Sequence, residues 1–299
     1  MAKLVQVLQF GVTGQVSREL IRQADAFDVD ISALGRAEAD LSDPESCAEF
    51  VRRSDADLVV IAAAYTAVDL AETERDLAFT VNAETPAAIA RACAETGKAL
   101  VNFSTDYVFD GTKASAYLPG DPTAPLNVYG ASKRAGEKAV LAACDRALIL
   151  RTSWVVSSHG KNFVKTMLRL AKGGVSPKVV DDQVGRPTAA ADLAAFVLGE
   201  AKSLAAAPAG AAQFGLHHFA NAGETSWRGF AQAVFDAELG DETRHVEPIA
   251  TADWPTPAAR PLRGVLDTAS LTAAFGVEPR PWRPALDEII ADLAELERA

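Results

Sequence analysis

The chain has 299 residues, 49% hydrophobic and 23% charged, a balance that suits a soluble globular fold of one large or two modest domains and excludes a disordered chain. A formal net charge of -11 argues against nucleic acid as the main partner, but a helix N-terminus or a few local cations can still bind a small phosphorylated ligand. Three scattered cysteines, Cys47, Cys93 and Cys144, form no Cys-x-x-Cys pair and fit reduced thiols in the cytoplasm; the longest strongly apolar run, Leu58 to Ala64, is too short to cross a bilayer.

In chain order, Leu4 to Phe10 reads as a first strand and ends at Gly11-Val12-Thr13-Gly14-Gln15-Val16-Ser17. A helix follows, with Val16, Leu20 and Ile21 expected on its apolar face. Strand, glycine turn and helix are the setting in which backbone approaches a dinucleotide pyrophosphate resting on free helix N–H groups. Ser17 stands at the third small position, where glycine is usual. A second strand, Asp30 to Leu34, ends at Gly35-Arg36. No acid immediately precedes Arg36, so it suits a 2′-phosphate and points to NADPH, the alternative being a solvated surface arginine. Ser42 or Asp43 is placed to cap a helix over Pro44 to Arg53.

Leu58 to Ala64 has the unbroken apolar character of a parallel strand covered on both faces, and its small residues leave room for a ligand. A helical region runs from Val68 to about Thr96, and Ala99 to Ser104 forms another strand. Tyr129 and Lys133, four apart at the start of the next helix, share one face. A neighbouring ammonium is expected to lower the phenol toward neutrality, and such a pair delivers a proton to a developing alkoxide. The alternative is plain packing for Tyr129 and a solvated Lys133. Ala147 to Thr152 is a further strand, ending at Ser153-Trp154.

Alternating strands and helices predict an α/β fold, a Rossmann-type doubly wound parallel sheet. The expected division is a dinucleotide-binding domain over residues 1–154 and a mainly substrate-binding, partly discontinuous domain over 155–299, with parts of 178–204 packing back on the first. Helices are predicted at Asn162 to Lys172, Ala190 to Leu204, Ser226 to Leu239 and Pro284 to Glu297, with extended chain at Trp254 to Pro261. His217-His218 reads as a strand with one imidazole facing solvent, and Trp227 and Trp282 as packing residues.

The glycine turn, Ser104-Thr105-Asp106-Tyr107-Val108-Phe109 and Asn127-Val128-Tyr129-Gly130 through Lys133 together resemble the extended short-chain dehydrogenase/reductase superfamily. Within it, Ala62-Ala63-Ala64-Tyr65-Thr66, Arg151-Thr152-Ser153-Trp154, Asp182-Gln183-x-Gly185-x-Pro187-Thr188 and Pro255-Thr256-Pro257-Ala258 with Arg260-Pro261 resemble the dTDP-4-dehydrorhamnose reductase family nearly end to end. The resemblance implies that NADPH, with NADH as an alternative, reduces the C4 ketone of a nucleotide-linked sugar. It implies Tyr129 as proton donor, Lys133 on the nicotinamide ribose and Thr105 on the reacting oxygen. Gly11, Gly14, Gln15 and Val16 would meet the pyrophosphate, and Asp40 and Leu41, with Arg36, the adenine side. Ala63, Ala64, Tyr65, Thr66 and Phe103 would line the middle of the cofactor. Thr105, Asp106 and Trp154 would contact the sugar and Arg260 its diphosphate, unless Arg260 is spent in a surface ion pair. The family also suggests a homodimer and Mg²⁺ held by acidic residues at a subunit contact, which the sequence assigns to no particular side chain. Departures from the family pattern include Ser17, Ile61, Phe103, Val156 and Leu262-Arg263-Gly264. Other expectations compatible with the motifs are a reductase of another 4-ketosugar, or a non-catalytic dinucleotide-binding subunit similar to the regulatory subunit of methionine adenosyltransferase.

Overall fold

The computed structural model describes residues 4–240 and 245–298. Six parallel strands form its central sheet: β1 Val5–Phe10, β2 Val29–Leu34, β3 Leu58–Ile61, β4 Ala99–Thr105, β5 Ala147–Thr152 and β6 Gly215–His218, in the spatial order β6-β5-β4-β3-β1-β2. Side chains alternate across a strand, so a strand covered on both sides must be apolar at every position. In β3, Leu58 and Val60 enter one hydrophobic cluster, while Val59 and Ile61 enter the other. The first cluster receives Leu20 from helix α1 (Gln15–Gln23). The second receives Val51 from α2 (Pro44–Arg53), Ile89 from α3 (Thr85–Thr96) and Val140 from α4 (Val128–Ala143). Of the two candidate caps for α2, Asp43 is the one used: its carboxylate accepts the Ser46 N–H at 3.1 Å.

The strand order reverses between β1 and β3, which opens a crevice at their carboxyl ends. The glycine turn and Ala62–64 border it. Beyond β5 the chain forms a third core from α5 (Phe163–Lys172), α7 (Trp227–Leu239) and α8 (Trp282–Arg298), through Val164, Met167, Phe230, Val234 and Trp282. Between α5 and α7, helix α6 (Ala190–Ala206) returns to the sheet, where Leu193 and Val197 join the first cluster. No helix among the described residues is long and apolar enough to cross a membrane.

Two expectations on apolar faces are corrected. Ile21 is exposed, because the stripe of the nine-residue α1 that meets the sheet is narrow and is filled by Leu20 and Val16. Both imidazoles of β6 are buried, His217 under the Phe275 ring and His218 against Phe109, so neither faces solvent. Burial and the nearby Arg151 charge hold His218 down at about 3 and hence neutral.

The helical region before β4 is not one helix. A short helix, Arg75–Phe79, passes into a π-turn, Thr80–Glu84, before α3 begins. That turn carries the Asn82 carbonyl against Gly136 of α4, where a Cβ would collide with it. Gly136→Ala improves helix propensity but overpacks this contact, and the collision dominates. Urea unfolding is expected to show a loss of about 1–3 kcal/mol; equal or greater stability would contradict the close approach.

Candidate active site

Tyr129 and Lys133 project from the first turns of α4, whose start is fixed by Asn127. Its Oδ1 accepts the Gly130 N–H at 2.8 Å, and its Nδ2 donates to the Ala259 carbonyl at 2.7 Å. Lys133 is only 5% exposed. One turn further on, Glu137 makes a buried fork-to-fork pair with Arg151 of β5, both contacts at 2.7 Å, and accepts the Ser104 hydroxyl at 2.5 Å. Burial lowers the Lys133 ammonium to about 8, and the Glu137 carboxylate opposes that shift.

The Tyr129 phenol departs from expectation. Burial pushes it up to about 12, the Asp106 charge adds to the rise, and a hydrogen bond with Thr105 opposes it. Desolvation of the phenolate thus outweighs any help from the neighbouring cation. Thr105, at the end of β4, donates to Asp106 Oδ1 at 3.0 Å and accepts the Tyr107 N–H at 3.2 Å. Asp106 is 3% exposed, and burial raises its carboxyl to about 7. Its other oxygen presses on Gly264, where a Cβ would collide with it, which accounts for a glycine in the Leu262-Arg263-Gly264 departure.

Two cavities border this group of residues. A crevice of about 490 Å³ is lined by Gly11, Gly14, Gln15, Val16, Ala63, Ala64, Thr66, Phe103, Tyr129 and Lys133, among others. A larger one of about 890 Å³ is lined by Tyr107, Phe163, Gln183, Trp227, Trp254 and Arg260, among others. Tyr129 borders the first and Tyr107 the second, with their rings edge-to-face at 5.8 Å. Thr105 and Asp106 are buried and line neither cavity. Trp154 borders neither cavity but stacks on Trp227 at 3.7 Å, in a left-handed backbone conformation (φ 47). Gly185 makes room for it, since a Cβ there would fall 2.6 Å from the indole. Trp227 is therefore more than the packing residue the sequence suggested, because it presents its ring to the larger cavity.

Several candidates are already engaged by other parts of the protein. Arg36 is 82% exposed and pairs with Asp40 at 3.2 Å. Leu41 is buried, and the Tyr65 phenol donates to Glu74 at 2.7 Å. Arg260 reaches the larger cavity, but Asp69 holds its guanidinium at 2.6 and 2.8 Å. The Gln15 side chain is engaged with the 155–162 segment. Nothing in the sequence singles out Asn82. Its side chain accepts the Tyr65 N–H at 2.9 Å and donates to the Tyr65 carbonyl at 3.0 Å and to Ser132 Oγ at 2.9 Å, fixing the Ala64–Thr66 wall to α4.

The crevice fits a dinucleotide. Gly11 (φ 105) lies where a Cβ would come within 2.8 Å of Ala63, so the turn must stay bare backbone. Thr152 Oγ1, on a residue of the same wall, is buried without a partner among the described residues. Ser17 takes the place of the third glycine by donating to the Ala62 carbonyl at 2.9 Å, tying α1 to the end of β3. Mg²⁺ does not fit. Among the described residues no three His, Cys, Asp or Glu side chains are grouped to hold a metal ion. Of the acidic side chains around a small cavity elsewhere, Glu19 pairs with Arg22 at 2.6 Å and Glu288 with Arg280 at 2.5 Å.

A doubly wound sheet with a glycine turn, and a Tyr–Lys pair beside a strand-end threonine, define a Rossmann-type reductase of the short-chain kind. The chain belongs to the family described as RmlD substrate binding domain, whose model matches residues 5–295. It is 44% identical to a dTDP-4-dehydrorhamnose reductase of Burkholderia thailandensis, over 97% of this chain and 99% of that one. It is 40% identical to the enzyme of that name from Escherichia coli, over 97% and 98%. The crystal structure of a dTDP-4-dehydrorhamnose reductase from Bacillus anthracis in complex with NADP is similar at a TM-score of 0.89 and 32% identity, covering 97% of this chain and 99% of that one.

Asp106 carries a linkage consequence. Its carboxyl is raised in the folded state, so ionisation disfavours folding. That cost is absent below about pH 4, where both states are protonated, and complete above about pH 7. Asp106→Asn is expected to raise Tm at pH 8 by about 5 °C and to leave it unchanged near pH 4. A uniform shift at both pH values would contradict the assignment.

Proposed function

We propose that the protein reduces the C4 ketone of dTDP-4-dehydro-L-rhamnose to dTDP-L-rhamnose with NADPH, the last step of dTDP-rhamnose formation. The observation that carries this reading is the Tyr129–Lys133 pair on the wall of a dinucleotide-fitting crevice, with Thr105 hydrogen-bonded to Tyr129 and the Tyr107 ring of an aromatic-walled cavity 5.8 Å from that of Tyr129. When bound, NADPH supplies the hydride that adds to the ketone carbon. The glycine turn and Ala63–Thr66 hold the cofactor, with Arg36 at the exposed end of β2 available to a 2′-phosphate. The nucleotide sugar occupies the larger cavity, with Trp227 and Trp254 as platforms and Arg260 as the diphosphate contact.

Tyr129 protonates the ketone oxygen. Its high value keeps the phenol protonated at neutral pH, so a donor is always ready, and an alkoxide is basic enough to take its proton. Lys133 places positive charge beside the nicotinamide ribose and stabilises the phenolate left behind. Thr105 has one proton, which it gives to Asp106 in this structure. When Asp106 is itself protonated, it can donate to the Thr105 oxygen, which frees the threonine proton for the substrate oxygen. Residues 1–154 act as the cofactor half and 155–299 mainly as the substrate half, with the chain between 178 and 204 returning to the sheet. The three buried thiols suit a reducing cytoplasm.

Tyr129→Phe removes the proton donor and leaves the cofactor walls in place. Its kcat, followed by NADPH absorbance with dTDP-4-dehydrorhamnose, is expected to fall about 10²–10⁴-fold while NADPH binding persists. An unchanged rate would sink the assignment.

A further inference from the structure

The expected cofactor cations were Lys133 and Arg36. Of these, only Lys133 lines the crevice; the other lysine or arginine on the wall is Lys161, from the segment that follows β5. Gly160 beside it has φ 63, a left-handed turn that folds the segment back. No carboxylate among the described residues pairs with the Lys161 ammonium.

The segment is held in place by Gln15, the first residue of α1. Gln15 Nε2 donates to the Val155 carbonyl at 3.0 Å, while Oε1 accepts the Ser157 hydroxyl at 2.9 Å and Asn162 Nδ2 at 3.0 Å. His159 Nε2 lies 3.0 Å from Glu19 Oε1 of the same helix, without forming a hydrogen bond to it. The Gln15 carboxamide oxygen accepts twice and one Nε2 hydrogen is donated in this clasp, and Gln15 also offers an anion its backbone N–H at the helix start. A helix N-terminus supplies only about half a positive charge, whereas a pyrophosphate carries two negative ones.

We propose that Lys161, clasped to the glycine turn through Gln15, supplies the counter-charge for the cofactor's pyrophosphate, so that a residue from beyond β5 completes the dinucleotide site. This rests on the reductase reading above and adds to it a specific cation. It also links the two halves of the chain, because the segment carrying Lys161 leads directly into α5, whose Phe163 lines the larger cavity.

The test compares two probes by calorimetry: NADP⁺, which has both a pyrophosphate and a 2′-phosphate, and 2′-AMP, which has only the latter. Lys161→Ala is expected to weaken NADP⁺ about tenfold, with a shallower salt dependence, and to leave 2′-AMP within about twofold. Lys161→Arg should recover most of the loss. Ser157→Ala, which loosens the clasp without touching the ammonium, should weaken NADP⁺ in the Lys161 background and have little further effect in Lys161→Ala, the coupling expected of one device. Unchanged NADP⁺ affinity in Lys161→Ala, or equal weakening of both probes, would overturn the proposal. Failure of the unsubstituted protein to bind NADP⁺ at all would overturn the reductase reading and this proposal with it.

Discussion

The Asn82 carboxamide fixes the distance on which the site depends. One side chain holds both backbone groups of Tyr65 and the hydroxyl of Ser132, so the cofactor wall after β3 and the helix bearing Tyr129 and Lys133 move as one piece. The local π-turn makes this possible by thrusting the Asn82 carbonyl against Gly136. π-turns interrupt regular helix hydrogen bonding and are frequent where a side chain must be re-aimed toward a functional site. The second support for the same helix is Asn127, whose side chain both caps it and reaches the Ala259 carbonyl from the end of the chain's long loop. That contact brings Arg260 to the rim of the larger cavity.

Electrostatics follow from how dry this helix face is. Lys133, Tyr129 and Asp106 are each displaced toward the neutral form by burial, and in each case a hydrogen bond or an opposite charge resists only part of the shift. The Glu137–Arg151 pair, itself buried, is satisfied by Ser104 and the Pro119 carbonyl, so it adds charge near Lys133 without leaving an unpaired ion. A neutral phenol beside a carboxyl near 7 is an arrangement for giving protons away, which is what a ketone reduction requires of its protein. The intact triad also speaks against a purely dinucleotide-binding subunit.

Much of this was legible in the chain. Apolar runs such as Leu58 to Ile61 give a doubly covered parallel strand, and the Gly11–Ser17 turn gives the crevice, because both depend on local pattern. What escaped depends on partners distant in sequence. Ile21 has the right spacing for a buried face, but its part of α1 meets no neighbour. His217 and His218 alternate as a half-exposed strand should, yet helical chain at Ala269–Phe275 covers one and Phe109 the other. A Tyr–Lys spacing suggests a lowered phenol, but the burial that reverses the shift comes from elements hundreds of atoms away along the chain. For Arg260 the sequence allows either a diphosphate contact or an ion pair; it lies on the cavity and is paired with Asp69 at the same time. Asn82 and Lys161 carry no local signature at all, since an asparagine within a helix and a lysine after a glycine are unremarkable until the tertiary structure places them.

The central claim is that hydride and proton reach one carbonyl from two sides, the hydride from the crevice and the proton from Tyr129. NADPH deuterated at the transferring position of nicotinamide C4, supplied with dTDP-4-dehydrorhamnose in ordinary water, tests it most directly by NMR of the product. The expected product is dTDP-rhamnose carrying one deuterium, on sugar C4 alone. Product free of deuterium, label at another carbon, or no turnover would contradict it.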